Sequence, residues 1–166
     1  MHPRINARAV VATTILSLTA VAASAQVRRG SAAAQVQVSV DLKIGGESLQ
    51  ANGAGACTHA PQAAIYNVRS QLRTAGLSAG ARSAQLTLWD PLDGSNDMFT
   101  LAFSNGPSSG TISTVRGGQP SGSGSVAFEV AGKGGTFRID GKTADGKPIT
   151  GTITCQAFTP HVAEGG

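Results

Sequence analysis

The most constraining feature of the sequence is a strict alternation of apolar and polar side chains between residues 35 and 44. Every second residue of this segment is aliphatic, and polar or charged residues occupy the positions between them. A period of two places all the aliphatic side chains on one face of an extended strand. The segment therefore predicts a β-strand with one face in a hydrophobic core, formed by Val36, Val38, Val40, Leu42 and Ile44.

Shorter segments with similar alternation follow along the chain. Asp-Gly, Asn-Gly-Pro and Gly-Gly sequences separate them, and these are typical of hairpin connections. About seven short strands with this spacing predict a mostly β fold, either an antiparallel β-sandwich or a partly open barrel. The alternating segments lie at residues 86–89, 99–103, 111–115, 126–130, 137–139 and 149–157.

One segment, residues 61–76, fits two structures. Ile65, Val68 and Leu72 have helical spacing, and Pro61 and Gly76 suit the first turn and the end of a helix. The sequence therefore leaves two structures open here: one short helix near residues 61–75, or an extended Ala-Ile-Tyr-Asn-Val segment.

The N-terminus has the organisation of a signal peptide, predicted over residues 1–25. Arg4 and Arg8 precede an apolar segment that ends in small residues up to Ala25. The apolar segment is shorter than the roughly 20 residues of a bilayer span. Gln26 follows the cleavage point, where a lipoprotein has a cysteine. We therefore expect a bacterial protein that is periplasmic or secreted, with no membrane span in the mature chain.

The 141 residues that remain after cleavage suit a single domain. We predict a flexible leader at residues 26–34, one β-rich domain at 35–158 and a disordered tail at 159–166. Loss of Arg4 and Arg8 lowers the formal net charge from +4 to +2. Such a small excess of positive charge does not indicate a nucleic-acid partner.

The chain contains two cysteines, Cys57 and Cys155. In an exported protein an even number of cysteines favours a disulfide over a metal site. In the last alternating segment Cys155 shares a face with Ile149 and Ile153, so it is expected to point into the core. The sequence therefore predicts a Cys57–Cys155 disulfide that ties the first and last parts of the domain together.

Asp90, Asp93 and Asp97 surround Gly94 in a connection between two predicted strands. Carboxylate oxygens are the ligands that calcium prefers. The spacing matches no established calcium motif, however, and the same residue types are common in turns. The favoured interpretation is a plain turn, with these aspartates as the candidate metal ligands and no cofactor predicted.

His59 is the histidine within the predicted domain. No Gly-x-Ser-x-Gly or His-Glu-x-x-His motif accompanies it, so no catalytic residue is assigned. The alternative is a small secreted hydrolase that uses His59 with Asp90, Asp93 or Asp97. That alternative requires these side chains to converge in one cleft.

Trp89 is the single tryptophan of the chain and is expected on the face opposite Leu86 and Leu88. A tryptophan exposed on a sheet often marks a contact surface. The alternative is that both faces of this strand are buried or that a loop covers the side chain. Trp89 is therefore the candidate contact residue.

Residues 40–57, with Gly53 and Cys57, and residues 137–141 and 152–155 resemble the exported β-rich antigens of the mycobacterial LpqH lipoprotein family. That family also places one cysteine after its first strand pair and another in its final strand. The acylated cysteine that anchors the family in the membrane is absent here. The resemblance implies a surface or binding module and no catalytic residue.

These features together predict an exported, non-catalytic β-domain that acts as a binding or surface-interaction module in the cell envelope or outside the cell. Its expected partner is a protein, a glycan or a small apolar ligand. The hydrolase described above and an inhibitor of a secreted enzyme are the alternatives. A structural component of the envelope is a third class of function.

Overall fold

The structure, a computed structural model, describes residues 34–117 and 119–163. The predicted signal peptide lies outside the described residues, as does the predicted leader up to residue 33. The described residues contain no helix, and therefore none long and apolar enough to cross a membrane.

The described residues form an antiparallel sheet of nine strands, curled into a half-barrel, and a short tenth strand pairs beside it. This confirms the predicted mostly β fold. The strand order is β6-β5-β4-β3-β2-β1-β9-β8-β7. The strands are β1 Gln35–Ile44, β2 Glu47–Ile65, β3 Val68–Ala79, β4 Arg82–Pro91, β5 Met98–Asn105, β6 Ser108–Ser113, β7 Ser123–Ala131, β8 Gly134–Lys142, β9 Pro148–Cys155 and β10 Thr159–Pro160.

The long strand β2 joins the two halves of the sheet. Its first part pairs with β1 along one edge, and its second part pairs with β3 along the other edge. Ala56 is the residue at which the partners change, since it pairs with Gln35 on one side and Gly76 on the other. The strands on either side of this exchange contribute to one continuous core.

The core is formed by the alternating aliphatic residues that the sequence indicates. Val38, Val40, Leu42 and Ile44 of β1 are all buried, as the strict alternation predicts. Burying one such side chain contributes about 1.5–3 kcal/mol to folding. The largest fully buried side chains come from both halves of the sheet: Phe99, Phe137, Leu42, Leu49, Leu86, Leu88, Leu101, Ile112, Ile149 and Ile153.

Residues 61–76 form most of a β-hairpin, so of the two structures that the sequence leaves open the short helix is wrong and the segment is extended on both sides of a turn. Tyr66 and Asn67 have φ angles of 48° and 66° and make the two-residue turn between β2 and β3. Ile65 pairs with Val68 across this turn, and Leu72 lies on the same face as Val68 because four residues separate them in one strand. The apolar residues that suggested a helix therefore also share one face of a hairpin.

The predicted disulfide between Cys57 and Cys155 is present, with a Cα–Cα distance of 6.2 Å. Both cysteines are buried. The bond joins the second part of β2 to the end of β9, which are far apart in sequence. It therefore fixes the C-terminal end of the domain against β2.

The ordered chain continues beyond the predicted domain end at residue 158. Thr159 and Pro160 form β10, which runs parallel to β2 beside Thr58 and His59. The hydroxyl of Thr159 donates a hydrogen bond of 3.0 Å to the Cys57 carbonyl oxygen. The start of the predicted disordered tail is thus a paired strand, because its backbone groups find partners beside the disulfide.

Candidate ligand pocket

A pocket of about 440 Å³ lies at the end of the sheet that the disulfide fixes. This volume is within the usual range for sites that bind small molecules. Its walls come from β2, β3, the β7–β8 hairpin and the C-terminal segment. The lining residues are His59, Pro61, Arg73, Phe128, Val130, Gly132, Lys133, Gly134, Phe158 and Pro160.

Three aromatic rings pack against one another beside the pocket. The ring of Phe128 lies 4.9 Å from that of Phe137 and 5.6 Å from that of Phe158, measured between centroids. Phe137 is fully buried, whereas Phe128 and Phe158 are half-buried and line the pocket. Tilted and edge-on contacts of this kind are favourable. The cluster gives the pocket a firm apolar wall.

Phe158 is held in the wall by its backbone as well as by its ring. Its N–H donates a hydrogen bond of 2.9 Å to the carbonyl oxygen of Lys133 in the β7–β8 turn. A Cβ atom on Gly134 would lie 2.0 Å from the carbonyl oxygen of Cys155. Only glycine therefore allows the hairpin to approach the C-terminal segment this closely.

Arg73 is a largely buried cation on the inner face of β3, with its side chain 12% exposed. Its Cζ atom lies 4.6 Å from the ring centroid of Phe128. Its Nη2 donates a 2.6 Å hydrogen bond to Gln71 Oε1, and its Nη1 lies 3.3 Å from Asp90 Oδ2. The guanidinium charge is thus stabilised by an aromatic face, an amide oxygen and a carboxylate.

His59 belongs to the same polar network. Its Nε2 lies 3.3 Å from Gln71 Oε1, the oxygen that also accepts from Arg73. These side chains share a face because His59 pairs with Arg73 and Gln71 pairs with Asp90 in the sheet. In the described part of the chain His59 and Asp90 are linked through Gln71 and Arg73, with no hydrogen bond between them.

The charged lining residues of the pocket are basic. Arg73 is paired with Asp90, while Lys133 is exposed in the β7–β8 turn. Among the residues that the structure describes, no acidic side chain lines the pocket or forms an ion pair with Lys133. The pocket therefore combines an apolar wall with an excess of positive charge.

Asp93 and Asp97 lie in the connection between β4 and β5, outside the pocket lining. The Ser95 N–H donates a 2.9 Å hydrogen bond to Asp93 Oδ1, and hydrogen bonding from Ser95 lowers the pKa of Asp93. Partial burial raises the pKa of Asp97, and the nearby charge of Asp90 raises it further. Over residues 34–117 and 119–163, no three ligand-type side chains form a group able to hold a metal ion.

Trp89 lies on the face of β4 opposite Leu86 and Leu88, the face that the alternation predicts. It is half-buried between its cross-strand neighbours Leu72 and Met98. It is not part of the pocket lining. Its role as a contact residue stays a prediction.

No protein-family model, curated protein or solved structure matches this chain. The resemblance to the LpqH-type antigens therefore stays a prediction. What the pocket can bind has to be argued from its own residues.

Most residues of this pocket are not singled out by the sequence. Phe158 follows the last alternating strand, and Lys133 sits in a glycine-rich turn of a common kind. Arg73 is the pocket residue that the sequence pattern could have identified, because it shares a face of its strand with Ala75 and Leu77, both of which are buried. A charged residue in an otherwise apolar face indicates a specific partner nearby.

Proposed function

We propose that this protein is an exported, non-catalytic binding module that holds a small, mainly apolar ligand at the end of its curled sheet. The observation that carries the proposal is the pocket of about 440 Å³ with Phe128 and Phe158 in its wall. The signal-peptide pattern and the disulfide between Cys57 and Cys155 support export.

The favourable free energy of binding comes from covering apolar surface that the fold leaves exposed. Phe128 and Phe158 are half-buried, and Val130 is 74% exposed at the rim. Each square ångström of apolar surface removed from water contributes about 25 cal/mol. Covering about 100 Å² of this wall therefore contributes about 2.5 kcal/mol to the binding free energy. The loss of translational and rotational freedom on association is subtracted from this contribution.

The walls of the pocket are fixed before any ligand arrives. The disulfide, the hydrogen bond between Phe158 and Lys133, and the pairing of β10 with β2 hold the C-terminal segment in place. A preformed site loses little conformational entropy when it binds. This arrangement favours a binding role.

The polar groups beside the pocket satisfy one another. Arg73 is occupied by Gln71 and Asp90, and His59 contacts the same Gln71 oxygen. A hydrolase needs a base in hydrogen-bond reach of a nucleophile or of its orienting carboxylate. A network in which a cation and an amide separate His59 from Asp90 favours a non-catalytic role.

The proposal is tested by titrating the purified, oxidised protein with N-phenyl-1-naphthylamine, a neutral apolar dye that fluoresces when it leaves water. We expect saturable binding with one dye per chain. Phe158→Ala removes part of the wall and should weaken the affinity about tenfold.

The control is Val162→Ala, because Val162 is 89% exposed and does not line the pocket. Its affinity should equal that of the wild type. Thermal unfolding of each variant shows whether the protein is folded at the titration temperature. Absence of saturable binding to the folded wild type would refute the proposed function, and so would equal affinities for Phe158→Ala and the wild type.

A further inference from the structure

We infer that the ligand is a small organic anion: an apolar body that rests on the phenylalanine wall, with a carboxylate, sulfonate or similar group beside Lys133. This inference rests on the proposed function and specifies the class of ligand. It is carried by the charge of the pocket lining and by the position of Lys133 in that lining.

The lining of the pocket carries more positive than negative charge. Arg73 and Lys133 line the pocket, and no described acidic residue does. The ion pair with Asp90 offsets the charge of Arg73. Lys133, which is exposed, contributes a further positive charge, and an anionic group at the rim would gain a modest attraction from it.

The backbone of Lys133 is bonded directly to the apolar wall. Lys133 lies in the turn between β7 and β8, and its carbonyl oxygen accepts the hydrogen bond from the Phe158 N–H. This bond fixes the backbone of Lys133 against the residue that supplies the wall. The ammonium group, on a flexible stem, can therefore meet an anion at the rim while an apolar body contacts the ring of Phe158.

The other basic residues of the same hairpin differ from Lys133 in position or in pairing. Arg138 forms an ion pair with Glu129 at 2.8 Å, on exposed side chains outside the pocket. Lys142 lies at the opposite end of β8, about 30 Å along the strand from Lys133 at 3.3 Å per residue. Of these three residues, Lys133 alone combines a place in the lining with the absence of a described carboxylate partner.

The test compares two dyes that share an anilinonaphthalene body. N-phenyl-1-naphthylamine is neutral, whereas 8-anilinonaphthalene-1-sulfonate carries one negative charge. In Lys133→Ala we expect the affinity for the sulfonate to fall about fivefold, as for a solvent-exposed ion pair. The affinity for the neutral dye should stay within about twofold of the wild type, because the apolar wall is intact.

The matched control is Lys142→Ala, which removes the same charge from the far end of β8, the strand that follows Lys133. It should leave both affinities unchanged. Added salt should weaken binding of the sulfonate to the wild type and have little effect on the neutral dye.

The outcomes separate this inference from the proposed function. If the neutral dye binds and Lys133→Ala changes both affinities equally, the anion preference is refuted while the apolar pocket stands. Equal effects of Lys133→Ala and Lys142→Ala on the sulfonate would also refute it, because net charge alone would then explain the change. If neither dye binds the folded protein, the proposed function fails and the inference fails with it.

Discussion

Arg73 is an inward-facing charge that organises the side chains at the pocket end of the sheet. It contacts the ring of Phe128, the amide of Gln71 and the carboxylate of Asp90. Arg73 is largely buried, whereas Asp90 remains partly exposed, so water screens part of their attraction. Asp97 lies close enough to Asp90 for the two carboxylate charges to repel each other.

Asp97→Asn should raise the thermal unfolding midpoint at neutral pH. Burial, then the charge of Asp90, raises the pKa of Asp97 above its ordinary value of 3.8. The folded state therefore holds this proton more tightly than the unfolded chain. The resulting stability is present in acid and is lost as the pH rises through the folded pKa. Removing the charge should add at most about 1 kcal/mol at neutral pH, and nothing at about pH 3.

The control for this prediction is Asp93→Asn, a change of the same charge in the same connection. Hydrogen bonds from Ser95 lower the pKa of Asp93, so its ionised form stabilises the folded state above the ordinary pKa. This variant should lower the midpoint at neutral pH. If Asp97→Asn also lowered the midpoint at neutral pH, the electrostatic environment described for Asp97 would be contradicted.

Residue types in the sequence identify some participants of the pocket and miss others. His59 and Asp90 are natural candidates because of their chemistry, and the structure brings both to one polar network. The sequence does not identify Phe158 and Lys133, because the local pattern of a strand or a turn does not show which distant segment of the chain packs against that strand or turn. Their roles depend on contacts between residues that are far apart in the chain.

The C-terminal segment is the part of the fold that the disulfide controls most directly. Cys155 ends β9, and Phe158 and β10 follow within a few residues. The segment has little regular structure of its own. Its position therefore depends on the bond to Cys57 and on the hydrogen bonds beside it.

Replacing both cysteines, in Cys57→Ala/Cys155→Ala, should lower the free energy of unfolding by about 4 kcal/mol, because the bond closes a long loop of the unfolded chain. The sequence separation of the two cysteines is 98 residues. Urea unfolding followed by circular dichroism measures the change. Wild-type protein treated with a reductant should lose a similar amount. Equal stability of the oxidised and reduced wild type would contradict a structural role for the bond.

The β2–β3 hairpin shows where sequence patterns are ambiguous for elements. The spacing of Ile65, Val68 and Leu72 fits one face of a helix and also one face of a hairpin with a two-residue turn. Tyr66 and Asn67 adopt positive φ angles without a glycine between them. The sequence therefore indicates this turn less clearly than it indicates the glycine-containing turns elsewhere. In β1, by contrast, the regular alternation fits a strand and not a helix.

For the molecule as a whole, the alternating pattern predicts an antiparallel β-sandwich or a partly open barrel, and the structure has an antiparallel sheet curled into a half-barrel. The pattern does not give the strand order or the way β2 exchanges β1 for β3 as its partner. That exchange places the inner faces of both halves against one core. It also brings Arg73 of β3 to Phe128 of β7, and so determines where the pocket forms.

Binding of a small, mainly apolar ligand in this pocket can be located residue by residue in a ¹H–¹⁵N correlation titration of labelled protein with N-phenyl-1-naphthylamine. We expect saturable shifts of the amide signals of His59, Gly134 and Phe158, with little change at Asn96 and Lys142. Absence of saturable shifts around the pocket would contradict the claim. Shifts centred on Asn96, or on Trp89, would also contradict it and would assign binding to another part of the molecule.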